Sequence, residues 1–543
     1  MRRLHHKLIL GVVVTAAMSL IIAGASGGAP QKASAGIVLF GAEQEPPCLN
    51  GTLAGCNNTW TSWTVGIALP GLYNVRPDFS LKPDMAAREA RIVKRRPFTL
   101  EVEIRRNARW SDGRPVTVND LRFTHQLIVN PNHEVASRSG WDSVRRINRI
   151  TNKKARITFR RPYAPYKVML AQSLYPQHAL TGTNFNEVWN NNYNHPRTGA
   201  SMASGPYKLQ SYTRGQNLVM VRNNTYFGKR PTLDRITFRF ITNTDSEIQA
   251  IRGGEVDVIY PQPQLQLAQL RGQSGLRTVA NAGSTLEHID INMGQGNSNP
   301  LLAQRWFRQA IAYSLDRRAM VNQLFRTLKA GLPVLQNNTF TNQQRGQYRD
   351  VYGKYTRNLN RVNQLMQANN CRKGGDGIWV CGGTRASVRF GTTAGNRLRE
   401  LALEILQAQA KSAGFEFRPD SEPSRLFFPR VSAKNYDLAL FAWVGTGDPA
   451  GQTDIYGCGG ESNWKNYCNQ RVTSLFRASD AQLNPKKRTA LVNQAEAAMS
   501  NDAITIPLYQ KPTYLVYKTK VRGLVDNPTL QGPTWNTPQW RTG

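Results

Sequence analysis

The chain has 543 residues, 40% of them hydrophobic, and carries 70 Lys and Arg against 35 Asp and Glu. That length exceeds one core, so two or three lobes are expected, and the composition excludes a disordered chain. The net charge of +35 invites a polyanion, but the basic clusters come without an aromatic stacking platform or a recognised reading helix, so nucleic acid is not an expected partner.

In chain order, Arg2, Arg3 and Lys7 precede an apolar run over residues 8–22 and then small residues, the pattern of an export signal. Cleavage is expected after Ala25 or Ala35, and no later stretch is apolar for long enough to span a membrane. The six cysteines fall as Cys48/Cys56, Cys371/Cys381 and Cys458/Cys468. In an oxidising compartment these near-sequence pairs read as three disulfides closing short loops. No pair has the two-residue gap of a zinc knuckle and no histidine lies close by, so metal binding is the weaker reading and no cofactor is expected.

Residues 37–40 predict a short strand leading to Glu45-Pro46-Pro47-Cys48. Trp60 and Trp63 follow, with buried packing the expected fate of both. In residues 98–130, Leu100, Val102 and Ile104 alternate with Thr99, Glu101 and Glu103, predicting a half-buried strand with its polar side in water. Trp110-Ser111-Asp112-Gly113 supplies a turn, and Asn119 and Asp120 are candidate caps for a helix carrying Leu121, Thr124, Leu127 and Ile128. Residues 204–259 predict three strands, a helix capped near Thr244-Asp245-Ser246 and a further strand at 256–259. A strand at 288–293 and a core helix over 304–315 follow, then a helix at 397–413 and strands at 436–443 and 503–509.

The passages Trp110-Ser111-Asp112-Gly113-Arg114-Pro115, Gly205-Pro206-Tyr207-Lys208-Leu209 and Arg308-Gln309-Ala310-Ile311-Ala312-Tyr313 with Asp316-Arg317 resemble the extracytoplasmic solute-binding proteins of ABC importers. More narrowly, they are similar to family 5, the oligopeptide-, dipeptide- and nickel-binding group. The resemblance implies a mixed α/β (α+β) two-lobed periplasmic-binding-protein-like fold of type II, peptide-binding cluster, with hinge strands and an extra small subdomain. It implies a signal peptide at 1–35, lobe I from 36–87, 196–285 and 503–543, a small subdomain at 88–195, and lobe II at 286–502. Segments near His288 and Ile504 would be the two crossings between the lobes.

The function so implied is capture of a peptide in an interlobe cleft and delivery to the permease subunits of an ABC transporter. A nickel chelate, a sugar or another organic solute is the alternative, and a secreted hydrolase a lesser one. Against an enzyme, the seven histidines form no H-E-x-x-H and no Gly-x-Ser-x-Gly elbow occurs. Many relatives carry a lipidated cysteine after the signal; here Ala25 stands in its place, so no lipid anchor is expected. The exported protein is expected to be a monomer in the periplasmic or cell-wall space, its positive charge touching the anionic envelope. In peptide-binding relatives an aspartate three residues beyond a buried tryptophan pairs with the peptide ammonium; here that residue is Thr446. The candidate ligand residues are Glu45, Trp443, Gly445, Thr446 and Asp448.

Overall fold

A computed structural model describes residues 36–325, 332–445 and 448–543. Two long strands organise it. Leu276–Ile291 and Thr505–Lys518 run antiparallel at the centre of a ten-stranded sheet. In spatial order the strands of that sheet begin at Glu416, Ser387, Leu438, Leu276, Thr505, Val258, Ile37, Arg235, Asn217 and Tyr207. On one side of the central pair, Glu416–Pro419, Ser387–Gly391 and Leu438–Val444 are mutually parallel; on the other, Val258–Ile259, Ile37–Ala42 and Arg235–Phe240 are. Parallel neighbours need crossovers, and the helices Arg397–Ala413 and Thr244–Arg252 supply one on each side.

Each side has its own core. Val38, Phe40, Trp60, Trp110 and Phe238 belong to the first; Phe307, Ile311, Phe390, Leu406 and Leu438 belong to the second. The return strand Thr505–Lys518 is rich in β-branched and aromatic residues and is buried on both faces, as a central strand must be. Its two prolines remove ladder donors and are tolerated only where the register is irregular. The shifts fall at those places: Tyr509 faces Glu287 while Pro507 faces His288, and Lys511 faces Thr285 while Thr513 faces Asn281. Gly283 lies in the second irregularity, where a Cβ would stand 2.0 Å from the Lys511 carbonyl oxygen. Asp526 ties the crossing together, accepting from Tyr260 Oη (2.7 Å), Asn281 Nδ2 (2.7 Å) and Thr513 Oγ1 (2.5 Å).

A separate four-stranded sheet, ordered Arg91–Arg95, Phe98–Glu103, Lys154–Phe159 and Val144–Arg149, lies within residues 88–195. The strand Phe98–Glu103 exists as the alternation predicts, but its polar side is not in water: Thr99 and Glu101 are buried. Long cations on neighbouring strands fold over Glu101, with Lys154 Nζ at 2.9 Å and Arg156 Nε at 3.4 Å. The helix after the turn begins at Val118, one residue before the candidate caps. Its N-cap is Thr117, and Asp120 closes a capping box by accepting from the Thr117 amide (2.7 Å). The cysteines pair as Cys48–Cys56, Cys371–Cys381 and Cys458–Cys468.

Candidate functional site between the two halves of the sheet

In open sheets, ligands collect beyond the carboxyl ends of parallel strands, where loops diverge and backbone groups are free. Here the carboxyl ends of both parallel trios converge. Ile37–Ala42 runs out into Glu43 and Gln44, Val258–Ile259 into Tyr260 and Gln262, and Arg235–Phe240 into Thr242 and Thr244. From the other half come Thr393 and Asn396 beyond Ser387–Gly391, and Ala442 and Val444 at the end of Leu438–Val444. Two adjoining cavities of about 50 and 10 Å3 are lined by these residues, with Trp63, Arg399, Phe428 and Lys511 completing the larger.

The charges there come from five separate chain segments. Arg399, in the first turn of its helix, binds Glu287 through Nη2 (2.9 Å) and Nε (3.1 Å). Lys511 Nζ stands 3.5 Å from the same carboxylate and donates to Gln262 Oε1 (2.6 Å), while Gln262 Nε2 donates to Glu43. Burial pushes the Glu287 carboxyl up, but Arg399 and Lys511 outweigh it and hold it below the usual range. For Glu43 burial wins over the pull of Lys511, and its carboxyl is raised. Glu247, on the helix Thr244–Arg252, is fully buried and pushed well up by burial and then by Glu43, against a smaller pull from the Tyr260 amide.

The residues singled out from sequence fall around this site rather than on its wall. Glu45 is buried and accepts from Tyr212 Oη (3.0 Å) and the Gly215 amide (2.9 Å), bracing its loop. Asp448 holds Arg488 in a two-pronged pair at 2.6 and 2.9 Å. Gly445 donates its amide to Ser284 O (2.9 Å), next to the crossing. Side chains alternate along a strand, so Ala442 and Val444 reach the cavity while Trp443 points the other way, among Phe441 and Trp464 at centroid distances of 5.6 and 5.3 Å. Thr446 lies outside the described residues. Glu43, Gln44, Gln262, Arg399 and Lys511 were missed from sequence; for Glu43 and Gln44 the usable signal was their position just past a parallel strand.

A second contact joins the halves further out. Ser462 Oγ donates to Ala136 O (2.7 Å), the Ala164 amide to Asp480 O (2.6 Å) and the Ser139 amide to Asp454 Oδ2 (3.1 Å), and Arg138 pairs with Glu461. A larger cavity, of about 500 Å3, opens elsewhere, among the helix Thr59–Ala68, residues 73–76 and residues 530–539. It is built from the first core's side alone, and its lining adjoins that of the smaller cavity along the chain, Ser62 and Leu530 facing it where Trp63 and Thr529 face the other. Among the described residues, no group of three or more His, Cys, Asp or Glu side chains is placed to hold a metal ion.

The family described as bacterial extracellular solute-binding proteins, family 5 Middle, matches residues 81–466. The chain belongs to that family. Among curated family 5 relatives, the oligopeptide-binding protein OppA of Mycobacterium tuberculosis is 26% identical over 488 residues, covering 86% of this chain and 78% of OppA. Among solved structures, the oligopeptide-binding protein AppA from Bacillus subtilis in complex with a nonapeptide superposes with a TM-score of 0.84 at 18% identity, covering 94% of this chain and 99% of AppA. The periplasmic EDTA-binding protein EppA gives 0.81 at 23% identity, covering 94% and 97%. The two-lobed fold is thus shared with a protein solved in complex with a nonapeptide and with one named as EDTA-binding.

Proposed function

We propose that this family 5 protein captures a peptide between its lobes outside the cytoplasmic membrane and hands it to the permease subunits of an ABC importer. The observation carrying this reading is the convergence of two sets of parallel-strand carboxyl ends on one cavity, across a pair of strands shared by both halves. In this reading the lobes are residues 36–87, 196–285 and 503–543 against 286–502, with 88–195 as the subdomain on the first. A cavity of about 50 Å3 is far below the several hundred cubic ångströms that a peptide fills. Entry therefore requires the lobes to part about the irregular stretches near Gly283 and Lys511, breaking the outer contact around Asp454 and Ser462. Ligand then favours closure only by binding the closed form more tightly. Native mass spectrometry of the exported protein is expected to show a bound peptide that denaturation releases, with X-ray scattering reporting compaction when peptide is returned to the stripped protein. A bound metal chelate or sugar in its place would give the same importer role a different cargo; turnover of an added solute would overturn it.

The basic clusters support a second element of this reading, attachment to the anionic envelope without a lipid. Arg91, Lys94 and Arg95 lie exposed on one edge strand of the four-stranded sheet, and Arg145, Arg146 and Arg149 on the opposite edge strand. Attraction of this kind is screened by salt. Washing intact cells with concentrated salt is expected to release the protein; retention after the wash would sink the idea.

A further inference from the structure

Away from the central cavity, the outer contact between the halves encloses two acids without giving either a cation of its own. A cavity of about 100 Å3 opens there, lined by Asp142, Arg161 and Tyr163 from residues 88–195 and by Asp454, Arg477 and Asp480 from the other half. The cations around it are committed elsewhere or exposed. Arg488 makes its two-pronged pair with Asp448, Arg138 pairs with Glu461, Arg161 stands 3.5 Å from Asp142, and Arg477 is exposed. Asp454 relies on neutral donors, the Ser137 hydroxyl and the Ser139 amide (3.1 Å), both reaching it from across the contact. Asp480 has less. It is 7% exposed, its Oδ1 meets no donor among the described residues, and it stands in the last turn of the helix Gln470–Ala481, where the carbonyl end of a helix disfavours negative charge. Its own carbonyl accepts from the Ala164 amide, so this acid lies on the surface that the halves cover when they meet.

We propose that this contact is a proton-dependent clasp: Asp454 and Asp480 take up protons as the halves meet and release them as the halves part, so that acid favours closure. It rests on the reading of two lobes that open at this contact. With the halves together, an ionised Asp480 is a buried charge with an unmet oxygen, near the carboxylates of Asp448 and Asp454. Protonated, the same group is neutral and carries a donor. With the halves parted, both acids face water and ionise as ordinary carboxyls do.

The groups facing Asp480 are Arg488, Asp448, Asp454, Arg161 and Tyr163, with Arg477 on the same cavity wall. Those facing Asp454 are Asp142, Arg138 and Asp480, beside the Ser137 and Ser139 donors. Burial pushes the Asp480 carboxyl up to about 8, against the pull of Arg488 and with the push of Asp448 and Asp454. Burial likewise pushes Asp454 up to about 6, although the Ser137 hydroxyl pulls it down. A carboxyl raised in the closed form binds more protons closed than open. The gain to closure is therefore complete below the ordinary 3.8 and is lost as pH rises, through about 6 for Asp454 and about 8 for Asp480. Between pH 6 and pH 7 closure takes up about one proton, held by Asp480.

The test is X-ray scattering of the full exported protein from pH 8.5 to pH 5.5, first alone and then with tryptic peptides of casein as the probe. Expected without probe is a radius of gyration that falls on acidification. With it, the peptide concentration giving half of the compaction should rise by about tenfold from pH 6 to pH 7, as one proton per closure requires. Asp480→Asn keeps the neutral form at every pH and should flatten the dependence above pH 6; adding Asp454→Asn should flatten the rest. Both chains should melt with the parent at pH 5.5. Calorimetry of the unaltered protein at pH 7, in phosphate and in Tris, should show uptake of about one proton per peptide bound, a reading that needs no variant. Compaction by peptide that is the same at every pH overturns the clasp and leaves the two-lobed reading standing. A pH dependence that survives in the doubly substituted chain also overturns it, because other groups then carry the protons. Compaction by acid alone, abolished by the two substitutions, keeps the clasp and overturns peptide as cargo. No compaction by acid or by peptide overturns the clasp and the lobe movement together.

Discussion

Replacing Lys465 with methionine is expected to lower the unfolding free energy by about 3–5 kcal/mol, the usual consequence of stranding one member of a buried ion pair. Lys465 Nζ lies 2.9 Å from Asp290 Oδ2, and both side chains are fully buried. Lys465 comes from the loop enclosed by Cys458 and Cys468, whereas Asp290 sits on the first crossing strand, so the pair fixes that loop to the spine of the molecule. Burial pushes the Asp290 carboxyl up from its ordinary 3.8, but Lys465 and then His288 outweigh it and hold it at about 2. A depressed carboxyl adds stability above its unfolded value and loses it as pH falls through its folded one. The Asp290 contribution is therefore complete above about pH 4 and gone near pH 2, and Lys465→Met should move acid unfolding to higher pH. Urea titrations at pH 7 and pH 3 measure both effects. Replacing Asp290 with leucine in the same chain should recover much of the loss, because two apolar side chains leave no charge stranded. A single-variant loss below about 1 kcal/mol would mean that the carboxylate finds another partner.

Reducing the three disulfides is expected to have a larger combined effect. The paired cysteines are 8, 10 and 10 residues apart, and loops of that length correspond to about 2.5 kcal/mol each in the chain-entropy treatment. Lost together, they amount to a large part of the 5–15 kcal/mol typical of a folded domain. The three should also separate by function. Cys371–Cys381 joins directly paired residues of two short strands and should affect stability alone. Cys48–Cys56 closes the loop that follows Glu43 and Gln44 and precedes the helix Thr59–Ala68, so replacing both with serine should weaken ligand binding as well. Denaturant midpoints before and after phosphine reduction, with thiols counted, decide the matter; an unchanged midpoint in the fully reduced protein would refute it.

What the sequence disclosed was local. The turn at Trp110-Ser111-Asp112-Gly113 and the helix after it were legible because their signals lie within a few residues, although the cap was placed at Asn119 and Asp120 instead of Thr117. Thr-x-x-Asp is itself a capping signature, and it outranks the polar residues inside it. The polar face of Phe98–Glu103 was read as wet because alternation says which residues share a side, not what covers that side; the Arg and Lys layer above Glu101 comes from strands that sequence alone did not align. The candidate site was legible only in outline. Trp443 was chosen on its resemblance to a motif, and strand parity turns it away from the cavity its neighbours line. The wall itself gathers Glu43, Gln262, Arg399 and Lys511 from across most of the chain, the two cations paired with Glu287, and no spacing rule links them.

The two central strands, one of them interrupted by prolines, make the connection out of main chain, with Gly283 packed against a carbonyl and Asp526 bolting the ladder. Backbone carries no information about cargo. Side chains at the tips of the flanking strands can therefore be exchanged for others of different charge and size while the central pair stays as it is.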